Sequence, residues 1–119
     1  MPSETRPHLR VQVVKGVAIV GFLDTYLQAT DVIKETSDQL LELVRVNDYE
    51  KVLLNFEGVR FLSSEMIAVV LKFHRRMVQY KGHLRLCGLA PNLRDIFRVS
   101  QLDKLLNIFD TDKDALAKY

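Results

Sequence analysis

The sequence of 119 residues has no tryptophan, one cysteine, three prolines and five glycines. A single thiol cannot form an intramolecular disulfide, which favours a reducing compartment such as the cytoplasm. The five glycines stand singly, so the glycine-rich motifs that cradle nucleotide phosphates are missing, as is the G-x-S-x-G turn of serine hydrolases. The sequence therefore offers no support for nucleotide hydrolysis or esterase chemistry.

Charge and hydropathy also exclude several partners. Seventeen Lys and Arg residues against fifteen Asp and Glu residues give a net charge of +2, too little to predict binding to nucleic acid or anionic membrane. The longest apolar run, residues 66–71, is far shorter than the roughly 20 residues that a membrane-spanning helix needs. The first ten residues lack the apolar centre of a secretory signal. We expect a cytoplasmic protein with no nucleic-acid or membrane partner.

The hydrophobic pattern predicts one α/β domain. Hydrophobic residues make up 48% of the chain and charged residues 27%, as in globular proteins with a real core. Alternation of apolar and polar residues predicts strands, and apolar residues at helical spacing predict helices, in the order ββαβαβαβα. We predict a mixed sheet of about five strands with an antiparallel first pair, packed with about four helices. The domain spans residues 9–119 and follows a flexible segment, residues 1–8.

The residue types that bind metals or react as nucleophiles are dispersed along the chain. His8, His74 and His83 fall on three different kinds of element, so we predict neither a metal site nor a cofactor. Cys87 lies in a leucine-rich strand, where a buried thiol has a raised pKa and behaves as a small apolar side chain. We therefore expect a protein that is not an enzyme.

One segment combines a buried strand, a short loop and a helix that begins with two hydroxyl residues. Ser63 and Ser64 lie where free backbone N–H groups and the positive end of the helix dipole favour a negative group such as a phosphoryl. Glu65 lies in the same field. From these residues alone, the expected role of a serine at this place is to cap the helix by accepting a backbone N–H.

The same segment resembles the STAS domain, a family found in sulfate transporters and bacterial anti-sigma factor antagonists. In the soluble antagonists an apolar strand ends in Asn or Asp, a Phe-apolar pair follows, and then Asp-Ser-Ser or Asp-Ser-Thr before Gly. Two later segments are also similar to the family. The matching segments here are LNF at residues 54–56, FL at 61–62, SSEM at 63–66, GHLRLCGLAPNLRDIF at 82–97 and VSQLDKLLNIFD at 99–110.

The resemblance implies a regulatory serine. Counting from Phe61 places Ser64 at the family's phosphoacceptor position, with Ser63 in place of the aspartate as the helix cap or a secondary acceptor. Glu65 replaces the second hydroxyl residue, and Met66 replaces the glycine. The implied mechanism is partner switching: the unmodified antagonist binds an anti-sigma factor that is also a serine kinase of the histidine-kinase-like ATPase type, and phosphorylation ends the binding. A serine phosphatase would restore the unmodified form.

The partner-binding residues are expected at this end of the molecule. On the helix, one apolar stripe contains Ile67, Val70, Leu71, His74 and Val78, and we expect it to face the sheet. A second stripe of Met66, Val69, Phe73 and Met77 is either covered by the third helix or forms an exposed docking surface. The predicted partner-binding residues are Ser63, Ser64, Glu65, Met66, Val69 and Phe73, with Asp24, Asn55 and Gly58 on the rim.

Two further functions remain open on the sequence alone. The same helix N-terminus could hold a nucleotide or a small anion, in which case the domain is a ligand-binding module. Alternatively, the chain is a structural subunit of a signalling assembly in which Ser64 is never phosphorylated. Because Glu65 already places a negative charge beside Ser64, the chain could also behave as partly locked in a phosphorylated-like state.

Overall fold

The computed structural model describes residues 6–119. Two adjacent strands open the domain, and helices then alternate with strands. The elements are β1 Leu9–Val14, β2 Val17–Phe22, β3 Tyr26–Leu27, α1 Thr30–Arg45, β4 Lys51–Asn55, β5 Phe61–Leu62, α2 Ser64–Gln79, β6 His83–Cys87, α3 Pro91–Val99, a 3-10 turn Leu102–Lys104, β7 Asn107–Phe109 and α4 Asp112–Leu116.

Five strands form one mixed sheet in the order β1-β2-β4-β6-β7. The first two strands are antiparallel and are joined by a tight turn at Lys15 and Gly16, both with positive φ. The other neighbours are parallel because each connection between them carries a helix. This confirms the predicted fold class and sheet. The two-residue strands β3 and β5 were not predicted; they form a separate parallel pair beside the main sheet.

Alternate residues of the central strands point into two different cores. Val52 and Leu54 of β4 join the larger core under α1, α2 and α3, while Leu53 joins a smaller core under α4. Each of these three side chains is fully buried. Burial on both faces explains why β4 reads as a continuous apolar run rather than as an alternating one.

Helix α2 buries a different stripe from the one expected to face the sheet. Met66, Val70, Phe73 and Met77 are buried, whereas Val78 is 59% exposed. The sequence prediction that the Ile67 to Val78 stripe faces the core was wrong at Val78. A helix in the groove between the sheet and α1 buries a stripe that runs between both surfaces, and α1 is the helix that packs against α2.

The C-terminal residue fastens the smaller core. The Tyr119 hydroxyl lies 2.7 Å from the Val52 carbonyl oxygen and 2.6 Å from that of His83, so it is positioned to donate to either strand. The guanidinium of Arg85 stacks 4.2 Å from the Tyr119 ring centre. Burial raises the pKa of Tyr119 to about 12.

The N-terminal boundary differs from the prediction. A flexible segment was expected over residues 1–8, of which residues 1–5 lie outside the described range. His8 is 1% exposed, and its backbone N–H donates to Oε1 of Gln39 in α1 at 2.8 Å. Its own carbonyl accepts from the N–H of Leu23 at 2.9 Å. The ordered domain therefore begins before β1.

Candidate functional site

The N-terminus of α2 is held in place by the small β3–β5 sheet. The Arg60 N–H donates to the Thr25 carbonyl at 2.8 Å, and the Ser63 N–H donates to the Leu27 carbonyl at 3.0 Å. Strand β5 ends one residue before Ser63, so these two bonds fix the direction in which the chain enters the helix. The position of Ser64 therefore depends on how β3 is anchored.

The two adjacent serines have different surroundings. Ser63 is the N-cap of α2, because its extended backbone lets its Oγ accept a hydrogen bond from the Met66 N–H at 3.1 Å. Ser64 is the first helical residue, and its side chain is exposed. With the capping role filled by Ser63, the Ser64 hydroxyl is accessible to an approaching enzyme.

The surroundings of Ser64 favour an anion. The Ser64 and Glu65 N–H groups make no hydrogen bond to any other residue in the described range, as expected of the first turn of a helix. These N–H groups and the helix dipole stabilise negative charge at this end. Glu65, which is also exposed, already supplies one carboxylate to the same field.

Two predicted partner-binding residues belong to the core. Met66 is fully buried and Phe73 is 1% exposed, so neither side chain reaches the molecular surface. The prediction of partner contacts by these two residues is therefore corrected: they pack between the sheet and α1. Val69 packs at the edge of the same core and is half-buried.

The predicted rim residues divide into buried anchors and exposed positions. The Asp24 carboxylate is 11% exposed and bonds to Arg6 and His8. Burial alone would raise its pKa, but the hydrogen bonds from Arg6 and His8 outweigh burial and lower the pKa of Asp24. Half-buried Asn55 accepts from the Glu57 N–H at 3.0 Å and shapes the loop, while Gly58 is exposed with a φ of +92°.

Sequence reasoning missed an exposed aromatic pair on the small β3–β5 sheet, which leads into α2. Tyr26 is 55% exposed, Phe61 is 41% exposed, and they are register partners in the β3–β5 pair. Leu23, also 41% exposed, precedes this pair in the chain. Both short strands read aromatic-Leu, with the leucine buried and the aromatic outside. That repeated dipeptide is the signal that could have identified the pair.

Metal and redox chemistry find little support among the side chains of the domain. Within residues 6–119, no group of three or more His, Cys, Asp and Glu side chains is arranged to hold a metal ion. Cys87 is buried, and burial raises the pKa of its thiol to about 12. A pocket of about 450 Å³ lies at the other end of the sheet, bounded by Lys51, His83 and Tyr119, far from the α2 N-terminus.

Comparison with known proteins identifies the family. The STAS domain model matches residues 11–115, and the chain belongs to this family. A curated relative is the anti-sigma F factor antagonist of Paenibacillus polymyxa, which is 25% identical over 107 residues covering 87% of each chain.

Solved structures share the fold. An anti-sigma-factor antagonist (STAS) domain protein from Planctomyces limnophilus superposes with a TM-score of 0.80 at 22% identity, over 92% of this chain and 94% of that one. The Bacillus cell fate determinant SpoIIAA, solved in its phosphorylated form, gives a TM-score of 0.70 at 17% identity, over 92% and 97% of the two chains. In the described range of the present chain, no helix is both long and apolar enough to span a bilayer.

Proposed function

We propose that this protein is a cytoplasmic anti-sigma factor antagonist that is not an enzyme and acts by partner switching. Its unmodified form binds an anti-sigma factor through the face around the α2 N-terminus, and phosphorylation of Ser64 ends that binding. The observation that carries the proposal is the exposed Ser64 hydroxyl at the first position of α2, with the capping role already filled by Ser63. The partner's kinase activity, of the histidine-kinase-like ATPase type, and an opposing serine phosphatase are part of the proposal.

The proposed switch is electrostatic. A phosphoryl group on Ser64 adds about −1.5 to −2 charges beside the carboxylate of Glu65. In the free protein, water and the first-turn N–H groups stabilise that charge. In a close-packed complex, the same charge loses its water, which is costly unless the partner supplies a cation. Phosphorylation thus weakens binding without disturbing the fold.

The exposed aromatic pair supplies the apolar part of the proposed face. Tyr26 and Phe61 stand next to each other on the small sheet, and β5 leads directly into the turn that carries Ser64. Aromatic side chains of this kind are enriched at the centres of protein interfaces. The proposed docking face therefore consists of Ser64, Glu65, Tyr26 and Phe61, with Gly58 exposed in the loop before β5.

The functions named for related proteins agree with the proposal. The Paenibacillus polymyxa relative is an anti-sigma F factor antagonist, and SpoIIAA exists in a phosphorylated form. The segment Ser63-Ser64-Glu65-Met66 differs from the family's Asp-Ser-Ser/Thr-Gly pattern. Because kinases read local sequence, the modification needs a direct test.

The modification is tested by measuring the intact mass of the protein purified from its native cell, followed by site mapping. We expect a population heavier by one phosphoryl group, with the group on Ser64. A phosphoryl group on Ser63, or none under conditions that both activate and silence the pathway, would refute the assignment.

Binding is tested by co-purification from the native cell with tagged variants. Wild type and Ser64→Ala should retain the same bound anti-sigma factor, whereas Ser64→Glu should lose it. Gln79→Glu, at an exposed position at the other end of α2, is the control for an added carboxylate and should bind as wild type does. If Ser64→Glu binds as well as wild type, the charge mechanism is wrong even though the fold is correct.

The aromatic contribution is tested in the same assay. Tyr26→Ala and Phe61→Ala should each weaken co-purification by at least about tenfold, as truncation of interface hot spots does. Val78→Ala, which truncates a 59% exposed side chain on the outer face of α2, should have no effect. Equal binding by all three variants would place the docking face elsewhere.

The unbonded N–H groups of Ser64 and Glu65 also suit a small anion, so the ligand-binding alternative is tested separately. Calorimetry with GTP, ATP and sulfate should show no saturable binding if the protein acts only by docking. Saturable binding that is lost in Ser64→Ala would favour the ligand-binding module. Stable self-assembly in size-exclusion chromatography would favour the structural-subunit alternative.

A further inference from the structure

His8 is held between two carboxylates from different parts of the fold. Its Nδ1 lies 2.6 Å from Oδ2 of Asp24, in the loop after β2, and its Nε2 lies 2.7 Å from Oε1 of Glu35 in α1. The imidazole is 1% exposed, and the carboxylate of Asp24 is 11% exposed. A histidine so deeply buried with both ring nitrogens at carboxylate oxygens is not an ordinary packed side chain.

The two hydrogen bonds require both ring nitrogens of His8 to be protonated. An ionised carboxylate only accepts hydrogen bonds, so each ring nitrogen must carry a proton to bond its partner. Both bonds form together only when His8 is the imidazolium cation. The charged groups facing it are Asp24 and Glu35, and Arg6 bonds the other oxygen of Asp24. The cation thus balances two carboxylates that come from separate elements.

The backbone around His8 joins the same cluster to the rest of the fold. Gln39 of α1 accepts from the His8 N–H at 2.8 Å, and its Nε2 donates to the Arg6 carbonyl at 2.9 Å. The segment before β1 is therefore fastened along α1 by both backbone and side-chain bonds. Its attachment does not depend on the imidazole alone, which leaves the imidazole free to act on Asp24.

Asp24 leads directly to the proposed docking face. The next residue, Thr25, accepts the Arg60 N–H, and Leu27 accepts the Ser63 N–H, so the loop that Asp24 anchors becomes strand β3. Tyr26 lies between these two bonds. Displacement of Asp24 would therefore move β3 relative to β5 and to the start of α2.

We propose that His8 is a positioning residue of the docking face: its protonated ring ties the Asp24 loop to α1 and thereby fixes Tyr26 and β3 against β5. Removal of the imidazole leaves the nearly buried Asp24 carboxylate without this donor, which costs free energy. The β3–β5 pair is then held less firmly. The relevance to docking rests on the proposed function, whereas the positioning itself can be measured without any partner.

Amide hydrogen exchange on the full chain tests this inference. The reporters are the Arg60 and Ser63 amides, which bridge β5 and β3, and the remote reporter is the Gly82 amide, which donates to the Met77 carbonyl at 2.7 Å. Protection factors are measured at one fixed pH for wild type and for each variant. We expect a substitution of His8 to lower the protection of Arg60 and Ser63, while that of Gly82 stays level.

The variant His8→Gln should lower the protection of Arg60 and Ser63 by about tenfold and leave that of Gly82 unchanged. His83→Gln, which changes an exposed histidine at the start of β6, should behave as wild type. Wild-type protection of Arg60 and Ser63 in His8→Gln, or an equal loss at Gly82, would overturn the positioning role. The second outcome would mean that His8 only stabilises the whole fold.

A second variant keeps the test decisive if His8→Gln does not fold. Glu35→Gln leaves His8 in place and removes one facing charge, so it should lower the protection of Arg60 and Ser63 but not that of Gly82. Unchanged protection of Arg60 and Ser63 in that variant would refute the proposal. Because no assay here uses Ser64 or a partner, failure of the phosphorylation proposal would leave these results unaffected.

Discussion

At the scale of single residues, two neighbouring serines are separated by less than one helical turn but differ in role. The Oγ of Ser63 accepts a hydrogen bond from the first turn of the helix, whereas the hydroxyl of Ser64 is exposed to solvent. A capping serine cannot be modified without losing its bond to the Met66 N–H. Ser64 can be modified without this loss, because its side chain makes no capping hydrogen bond in the described structure.

Substitution of the two serines by alanine should separate these roles. Ser63→Ala removes the cap and should lower the free energy of unfolding by about 1 kcal/mol. Ser64→Ala should change it by less than about 0.5 kcal/mol, as expected of an exposed site. Urea denaturation measures both. Equal losses would show that Ser64 shares the capping role, which would weaken its assignment as the modified residue.

Asp24 should make the fold sensitive to acid. Its pKa is lowered in the folded protein, so its ionised form stabilises the fold above the ordinary value of 3.8, and this contribution is lost as pH falls through the lowered pKa. Asp24→Asn should therefore be less stable than wild type at pH 7, and the difference should shrink as pH falls through the lowered pKa of Asp24. Denaturation at several pH values tests this. Asp103→Asn, at an exposed carboxylate, should show no such convergence.

At the scale of elements, the connections after β4 and β6 pack against each other. Gly88, which follows β6, has a φ of +75°, and a Cβ there would lie 2.5 Å from Asn55 Oδ1 and 2.9 Å from the Glu57 nitrogen. The Phe56 N–H also donates to the Cys87 carbonyl at 2.9 Å. Asn55 therefore acts through the loop's shape, beneath the proposed docking face.

Two glycine substitutions test this contact. Gly88→Ala combines positive φ with a clash against backbone, and we expect a loss of about 3 kcal/mol or more in unfolding free energy. Gly58→Ala, whose Cβ would meet open space at φ +92°, should lose only about 1 kcal/mol from backbone strain. Thermal unfolding distinguishes them. Similar losses would mean that the Asn55 loop yields easily to an added methyl group.

At the scale of the whole molecule, the two faces of the main sheet pack against hydrophobic cores of different size. Helices α1, α2 and α3 cover one face, while within residues 6–119 the short α4 and the residues after it cover the other. Tyr119 compensates for this thin layer by bridging β4 and β6 through its hydroxyl. Tyr119 therefore packs with Ala115 and Leu116 of α4 over the smaller core.

The reactivity of Cys87 measures how well the smaller core is shielded from solvent. Tyr119→Ala should lower the unfolding free energy by about 2 kcal/mol and speed alkylation of Cys87 by N-ethylmaleimide, because it uncovers the smaller core. Lys118→Ala, which truncates an exposed neighbour, is the control. Intact mass follows alkylation under native conditions. Equal labelling rates in both variants would show that α4 alone protects the thiol.

Much of the fold followed from local pattern. The alternation in β1 and β2, the helical spacing in α1 and α2 and the apolar run of β4 fixed the element order, because each pattern has one backbone period that buries its apolar side chains. That one of the two serines caps α2 was predicted because helix ends need an acceptor for their free N–H groups, and the structure shows that the cap is Ser63. The strands β3 and β5 were missed, since two residues are too short to show a period.

The amino-acid sequence by itself determined the class of fold, the family resemblance and the place of Ser64 at the start of a helix, because these depend on neighbours along the chain. Tertiary structure alone decided which side of α2 is buried, that Met66 and Phe73 face the core, that Tyr26 meets Phe61, and that His8 lies between Asp24 and Glu35. Those outcomes depend on residues distant in sequence that pack together. No local period encodes them, since each is selected by the burial and charge pairing of the assembled domain.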